Sequence, residues 1–213
     1  MSKWLKILAA VIGVSVGVGL WWRFTSRRRS LPCPSWLSGL LENPYTEMVA
    51  GSQLLLDRLD LQPGMKMLDA GCGPGRLSIP AAKRVGSDGQ VVALDIQDEM
   101  LHRLQNRIQI AGLENMQLIH AGIGEGILPQ NEFDRAILVT VLGEIPDPQA
   151  ALAEIFDSLK PGGMLSVTEL IPDPHYQSRN TVGQLAAAAG FVATQSFGNW
   201  LAFTLNFVKP EAG

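Results

Sequence analysis

Short apolar runs alternate with longer stretches of helical periodicity along most of this chain, and that alternation leaves few folds open. Residues 66–69, 90–95, 116–120, 133–140 and 164–169 read as strands. Between them, 77–85, 99–111 and 149–159 read as helices, and a further helix is expected at 181–189. On 99–111 the residues Leu101, Leu104 and Ile108 share one face, and Gly86, Gly112 and Gly190 follow helices as stops. The run VVALDI is apolar on both faces, as a strand buried inside a parallel sheet must be. Pro161-Gly162-Gly163 reads as a turn, and 191–196 with 201–208 read as two closing strands joined through Gly198 and Asn199. The pattern predicts an α/β fold, a doubly wound, mostly parallel seven-stranded sheet. An additional helix is expected at 45–59, with Met48, Leu55, Leu56 and Leu59 on its inner side.

The first thirty residues differ in kind. Between Leu5 and Leu20 the only charge is Lys6. A helix from Trp4 to Trp22 would rise ~27 Å, close to the ~30 Å hydrocarbon core of a bilayer. Trp4 stands at one end, Trp21 and Trp22 at the other, and Arg23, Arg27, Arg28 and Arg29 follow. This is the pattern of an N-terminal transmembrane helix whose heavier basic flank keeps the following domain on the cytoplasmic side. A cleaved leader fits less well, because Trp21, Trp22, Arg23 and Phe24 stand where a small-x-small cleavage site belongs. The chain divides into a membrane anchor at 1–29, a linker at 30–44 and one domain at 45–213. Ala9, Gly13 and Gly17 share a helix face at four-residue spacing, the arrangement through which two such helices form a homodimer; a helix merely rich in small residues is the simpler reading.

A formal net charge of −3 provides no broad basic field, so nucleic acid is not an expected partner. The two cysteines, Cys33 and Cys72, make no disulfide framework, and no metal-ligand spacing is present. His102, His120 and His175 are scattered and read as surface or structural residues.

Chemistry is concentrated where the first strand meets the first helix, in MLDAGCGPGRLS. In such a sheet the ligand sits beyond the carboxyl ends of the strands. Glycines allow a tight turn and close approach, and free amides at a helix start attract a carboxylate. A dinucleotide site would place its third glycine at position 76; here Gly75 comes one residue early and Arg76 follows. Asp69 at the strand end suits an ammonium group and would repel a pyrophosphate. A ligand with both an ammonium and a carboxylate is an amino acid. About twenty residues on, Asp95 ends the second strand, where a carboxylate accepts hydrogen bonds from ribose hydroxyls. Its competing role is a helix cap, for which Asp98 is better placed.

With these residues the chain resembles the class I S-adenosylmethionine-dependent methyltransferases, in particular the type 11 branch that includes the ubiquinone and menaquinone methyltransferases. The likeness runs over residues 54–208 and rests on LQPGMKMLDAGCGPG, VVALDI, FDRAILVTVLGEIPD and LKPGGMLSVTE. It implies a Rossmann-like methyltransferase fold with S-adenosyl-L-methionine as cofactor. By that resemblance Asp69, Gly71, Cys72, Gly73 and Gly75 surround the methionine end of the donor, Asp95 holds the ribose and Ile96 lies against the adenine. The family's aspartate after the third strand is missing: the segment reads AGIGEG, so adenine recognition would fall to backbone groups near Ile123 and Gly124 or to Glu125.

The sulfonium donor is already electrophilic, so the protein has chiefly to align an acceptor and exclude water. Residues 140–146 should face the methyl group, with Thr140 at their start. Glu144 is the candidate base for an acceptor that arrives protonated, set against the plainer reading of a solvated loop acid. Glu169 and Tyr45 are candidates to line and close the cleft. The short segment LIPDPHYQSRN suggests an open acceptor site. Beside an anchor, that site implies a small or lipophilic acceptor: a quinol, a phospholipid headgroup or a hydrophobic thiol. Two other readings are a membrane-tethered scaffold that binds the donor without catalysis and, disfavoured by the glycine spacing and Asp69, a dinucleotide-binding oxidoreductase.

Overall fold

The computed structural model describes residues 44–171 and 173–211. The span 4–22, its small-residue face and the linker at 30–43 lie outside the described residues. Among the described residues no helix is long and apolar enough to cross a membrane.

The elements run α1 (Pro44–Ala50), α2 (Ser52–Arg58), β1 (Lys66–Ala70), α3 (Ser78–Val85), β2 (Gln90–Asp95), α4 (Asp98–Ala111), β3 (Met116–His120), β4 (Phe133–Val139), α5 (Pro148–Ser158), β5 (Leu159–Leu170), α6 (Arg179–Ala188), β6 (Val192–Gly198) and β7 (Ala202–Val208). One seven-stranded sheet has the order β3-β2-β1-β4-β5-β7-β6. β1 pairs in parallel with both β2 and β4, while β7 runs antiparallel to β5 and β6. Strand order reverses between β1 and β4, and a crevice opens beyond their carboxyl ends.

Both sheet faces are covered, so consecutive strand residues are buried in alternate directions. In β4, Ala136 and Leu138 pack with α5 and α6, whereas Ile137 packs on the other side with Leu55, Leu56, Ala81 and Val85. The apolar character of these strands on both faces follows from this double covering.

Some boundaries depart from the sequence reading, each for a visible reason. The single helix expected at 45–59 is broken at Gly51, whose backbone is extended, and Met48 points to solvent instead of the core. Pro161-Gly162-Gly163 is not a turn but part of β5. The Gly162 amide donates to the Lys209 carbonyl, the Lys209 amide donates to the Gly163 carbonyl, and Gly162 takes a φ of +75°. Asp98 does not cap α4; it is the first helical residue, and Gln97 precedes it without a side-chain cap bond.

After β3 the chain is irregular and is held by one side chain from α5. Glu154 accepts hydrogen bonds from the amides of Gly124 (2.6 Å), Ile127 (2.6 Å) and Leu128 (2.9 Å). A carboxylate taking amide bonds at these lengths fixes a segment that has no ladder of its own. Glu154→Ala should lower stability by about 2 kcal/mol, read from urea denaturation, with Glu154→Gln recovering part of the loss.

Candidate functional site

The loop after β1 is fastened to β2. The amides of Gly71 and Cys72 both donate to the Leu94 carbonyl, at 2.8 and 3.0 Å. Gly71 has a φ of +76°, and a Cβ there would lie 2.5 Å from a methyl of Val141. Only glycine allows this approach of the loop to β4's end. Gly73 differs: at φ +53° it has open space where a Cβ would go, and it borders the crevice.

Two carboxylates flank this loop. Asp69 is buried and accepts a 2.5 Å hydrogen bond from the Ser78 hydroxyl. Burial, only partly offset by Ser78 and the charge of Arg76, pushes it up to about 6. Asp95 accepts from the Gly73 amide through one oxygen and from the Gln97 amide through the other, both at 2.8 Å. It therefore joins the glycine loop to the start of α4. Burial raises its pKa against those two bonds.

The cleft between β1, β2 and β4 is lined by Asp69, Gly71, Cys72, Gly73, Asp95, Ile96, Ile123, Thr140 and Glu144, all expected from the sequence. Ile96 is 56% exposed, an apolar platform at the rim beside Asp95. Cys72 is buried, and burial holds its thiol protonated. Thr140 takes a φ of +57°, a left-handed conformation that β-branched residues rarely adopt. Its amide donates to the Thr168 carbonyl (2.9 Å) and its hydroxyl to the Val139 carbonyl (2.7 Å), which hold it there. Backbone strain of this kind gathers at functional sites.

Other expectations are corrected. Gly75 does not line the cleft: at φ +87° a Cβ would lie 2.3 Å from Leu104, so its lack of a side chain serves the packing of α4. Glu169 is buried behind the cleft, where it accepts from the Gln177 amide (3.0 Å). Glu125 is exposed, with its carboxylate against Gly122, and it does not line the cleft, whereas Gly122 and Ile123 do. Tyr45 falls on α1, but its side chain lies outside the described residues. The short connection after β5 does not stand apart: the His175 carbonyl lies against Gly143, so close that a Cβ there would clash.

The sequence reading missed Arg76 and His175. Arg76 borders the cleft and donates to the Ala50 carbonyl (2.7 Å), tying α1 to the glycine loop. Its position one residue after Gly75 was the available signal. His175 is neither on the surface nor an ordinary core histidine. It is 2% exposed, with Nδ1 3.5 Å from Glu144 and 3.6 Å from Asp173. Burial disfavours its charged form, but those two carboxylates outweigh burial and bring it up to about 9. Beside them, burial raises Glu169 to about 8, and the charges of Asp173 and Glu144 add to the rise.

A sequence profile described as a methyltransferase domain matches residues 61–203. The chain belongs to the methyltransferase domain family. The demethylmenaquinone methyltransferase of Listeria welshimeri serovar 6b is 36% identical to it over 106 residues, 50% of this chain and 45% of that protein. The chain thus spans about half the length of the curated relatives it matches. In structure it resembles a SAM dependent methyltransferase from Aquifex aeolicus, with a TM-score of 0.74 and 24% identity over 82% of this chain and 97% of the other. It also resembles the [4+2]-cyclase SpnF, with a TM-score of 0.68 and 18% identity over 76% of this chain and 81% of that one. The sheet is therefore the methyltransferase sheet, although a cyclase also has it. The family model and the structural likeness agree on a methyltransferase domain.

In this methyltransferase Gly71→Ala should cost about 1–3 kcal/mol of stability and weaken donor binding together, because the added methyl meets Val141. Thermal unfolding with and without donor measures both effects.

Proposed function

We propose that this methyltransferase acts on a small or lipophilic acceptor at the cytoplasmic face of a membrane, held there by residues 4–22. The observation that carries the donor half of this reading is the pair of buried carboxylates, Asp69 and Asp95, on either side of the glycine loop in one cleft. The residues fit the donor. Asp69 meets the ammonium, and the amides at the start of α3 meet the carboxylate. Asp95 keeps lone pairs for the ribose hydroxyls after its two amide bonds. Ile96 offers its exposed side to the adenine, and the backbone of Gly122 and Ile123 its edge. Bound there, S-adenosyl-L-methionine supplies an electrophilic methyl group.

On the acceptor side, Val141, Ile145 and Pro146 give the cleft an apolar wall around one carboxylate, Glu144. An apolar wall with a single base suits a ring that must lose a proton before or during transfer. The name of the relatives points the same way, toward a quinol ring; a phospholipid headgroup or a hydrophobic thiol would meet the same wall. Glu144 takes the proton, and the strained Thr140 shapes the cleft at the end of β4.

Asp69 gives a pH test. Its folded pKa of about 6 lies above the ordinary carboxylate value of about 3.9, so the native state holds its proton more tightly than the unfolded chain. Stability should therefore fall as pH rises from about 4 through 6, by up to ~3 kcal/mol. Asp69→Asn should be the more stable protein above pH 6, with the difference vanishing toward pH 4, and should bind donor at least tenfold more weakly. Wild-type affinity should fall as pH drops below 6. Equal donor affinity in the Asn variant would remove the ammonium contact.

The acceptor is tested by incubating the full chain with methyl-labelled donor and a total lipid extract. Label is expected in a quinone-type or other lipid product, and Glu144→Gln should cut turnover without changing donor affinity. Label entering only water-soluble products would overturn the lipophilic assignment.

A further inference from the structure

Glu144, Asp173 and His175 come from two separate loops, after β4 and after β5, yet their ligating atoms all lie within 4.8 Å of one another. Neither ring nitrogen of His175 makes a hydrogen bond, although the side chain is 98% buried. An imidazole removed from water in this way is expected to have found partners. Its Nδ1 stands 3.5 Å from a Glu144 oxygen and 3.6 Å from an Asp173 oxygen. Both separations exceed the ~2.7–3.2 Å of a nitrogen–oxygen hydrogen bond. They match two ligands on one ion: arms of ~2.0–2.2 Å at a tetrahedral angle put neighbouring ligand atoms about 3.4 Å apart.

The cluster is also held in shape. Asp173 accepts the His175 amide through the oxygen that faces the ring, at 2.7 Å. The Glu144 amide closes a turn onto the Val141 carbonyl at 2.9 Å, and Gly143 packs against the His175 carbonyl. The loop that supplies Glu144 is thereby locked to the loop that supplies the other two. Glu144 also borders the donor cleft.

We infer that Glu144, Asp173 and His175 bind one divalent transition-metal ion at the acceptor end of the cleft. One imidazole and two carboxylates suit Zn²⁺ or Mn²⁺. Three protein ligands leave a position open, as in catalytic and not structural sites. In that position the ion would take an oxygen of the acceptor, the one part of the inference that rests on the proposed function. A hydroxyl-bearing ring would then be oriented and made more acidic by the ion, its proton leaving to solvent, with Glu144 a ligand in place of the base proposed above.

The test uses the full chain, freed of metal with a chelator and then dialysed. Zn²⁺ and Mn²⁺ alone are titrated by calorimetry, without donor, and donor binding is titrated separately on the metal-free protein. One ion per chain is expected, with affinity at least tenfold lower in Asp173→Asn and in His175→Gln. Because His175 is buried, the Asp173 variant carries the argument if the histidine variant misfolds, and unchanged donor affinity shows that a variant is folded. Absence of saturable metal binding, or equal binding by wild type and Asp173→Asn, overturns the site. Donor binding without metal binding rejects the ion site and leaves the methyltransferase reading standing; metal binding without donor binding does the reverse.

Discussion

The carboxylate of Asp95 connects parts of this protein that the chain itself does not. Through one oxygen it holds the amide of Gly73, in the loop after β1; through the other it holds Gln97, where α4 begins. Around it the amides of Gly71 and Cys72 converge on the Leu94 carbonyl. The cleft therefore exists because a buried carboxylate is tied by amides on two sides, and an unpaired charge at that depth would be costly. A ribose held by the same group would rest on the element that shapes the loop, so donor affinity and local order are properties of one set of bonds.

Much of this was legible in the chain. Parallel strands buried on both faces are apolar on both, and Val91 to Leu94 is. Glycines at a strand-to-helix turn with a carboxylate on each side marked the residues that come to line one cleft. What escaped notice depended on contacts distant in sequence. Gly75 resembles its neighbours Gly71 and Gly73, but only the position of Leu104 shows that it serves helix packing. Pro161-Gly162-Gly163 has the composition of a turn, and only the pairing with Lys209 draws it into β5. His175 lies 31 residues beyond Glu144, and no local periodicity relates them. Short-range patterns specify elements; they do not specify which loops meet.

The two ends of the cleft are built differently. Around the glycine loop, backbone amides and the carboxylate of Asp95 give the cleft a fixed shape. At the other end, side chains from the loops after β4 and β5 converge, with Thr140 in an unfavourable conformation and Glu169 buried, its pKa raised by that burial. A fold whose solved examples include a cyclase is not bound to one chemistry.

The position of β7 bears on how such a sheet can be assembled. β6 is made before β7, yet it is attached to the sheet only through β7. As the chain emerges from the ribosome, β5 presents an unpaired edge, and β6 has no neighbour to join until residues 202–208 follow. The last hairpin must close and insert as a unit. Until then Phe203 and Phe207, which end up fully inside the core, stay with the nascent segment, and the edge of β5 remains exposed to any other extended strand nearby.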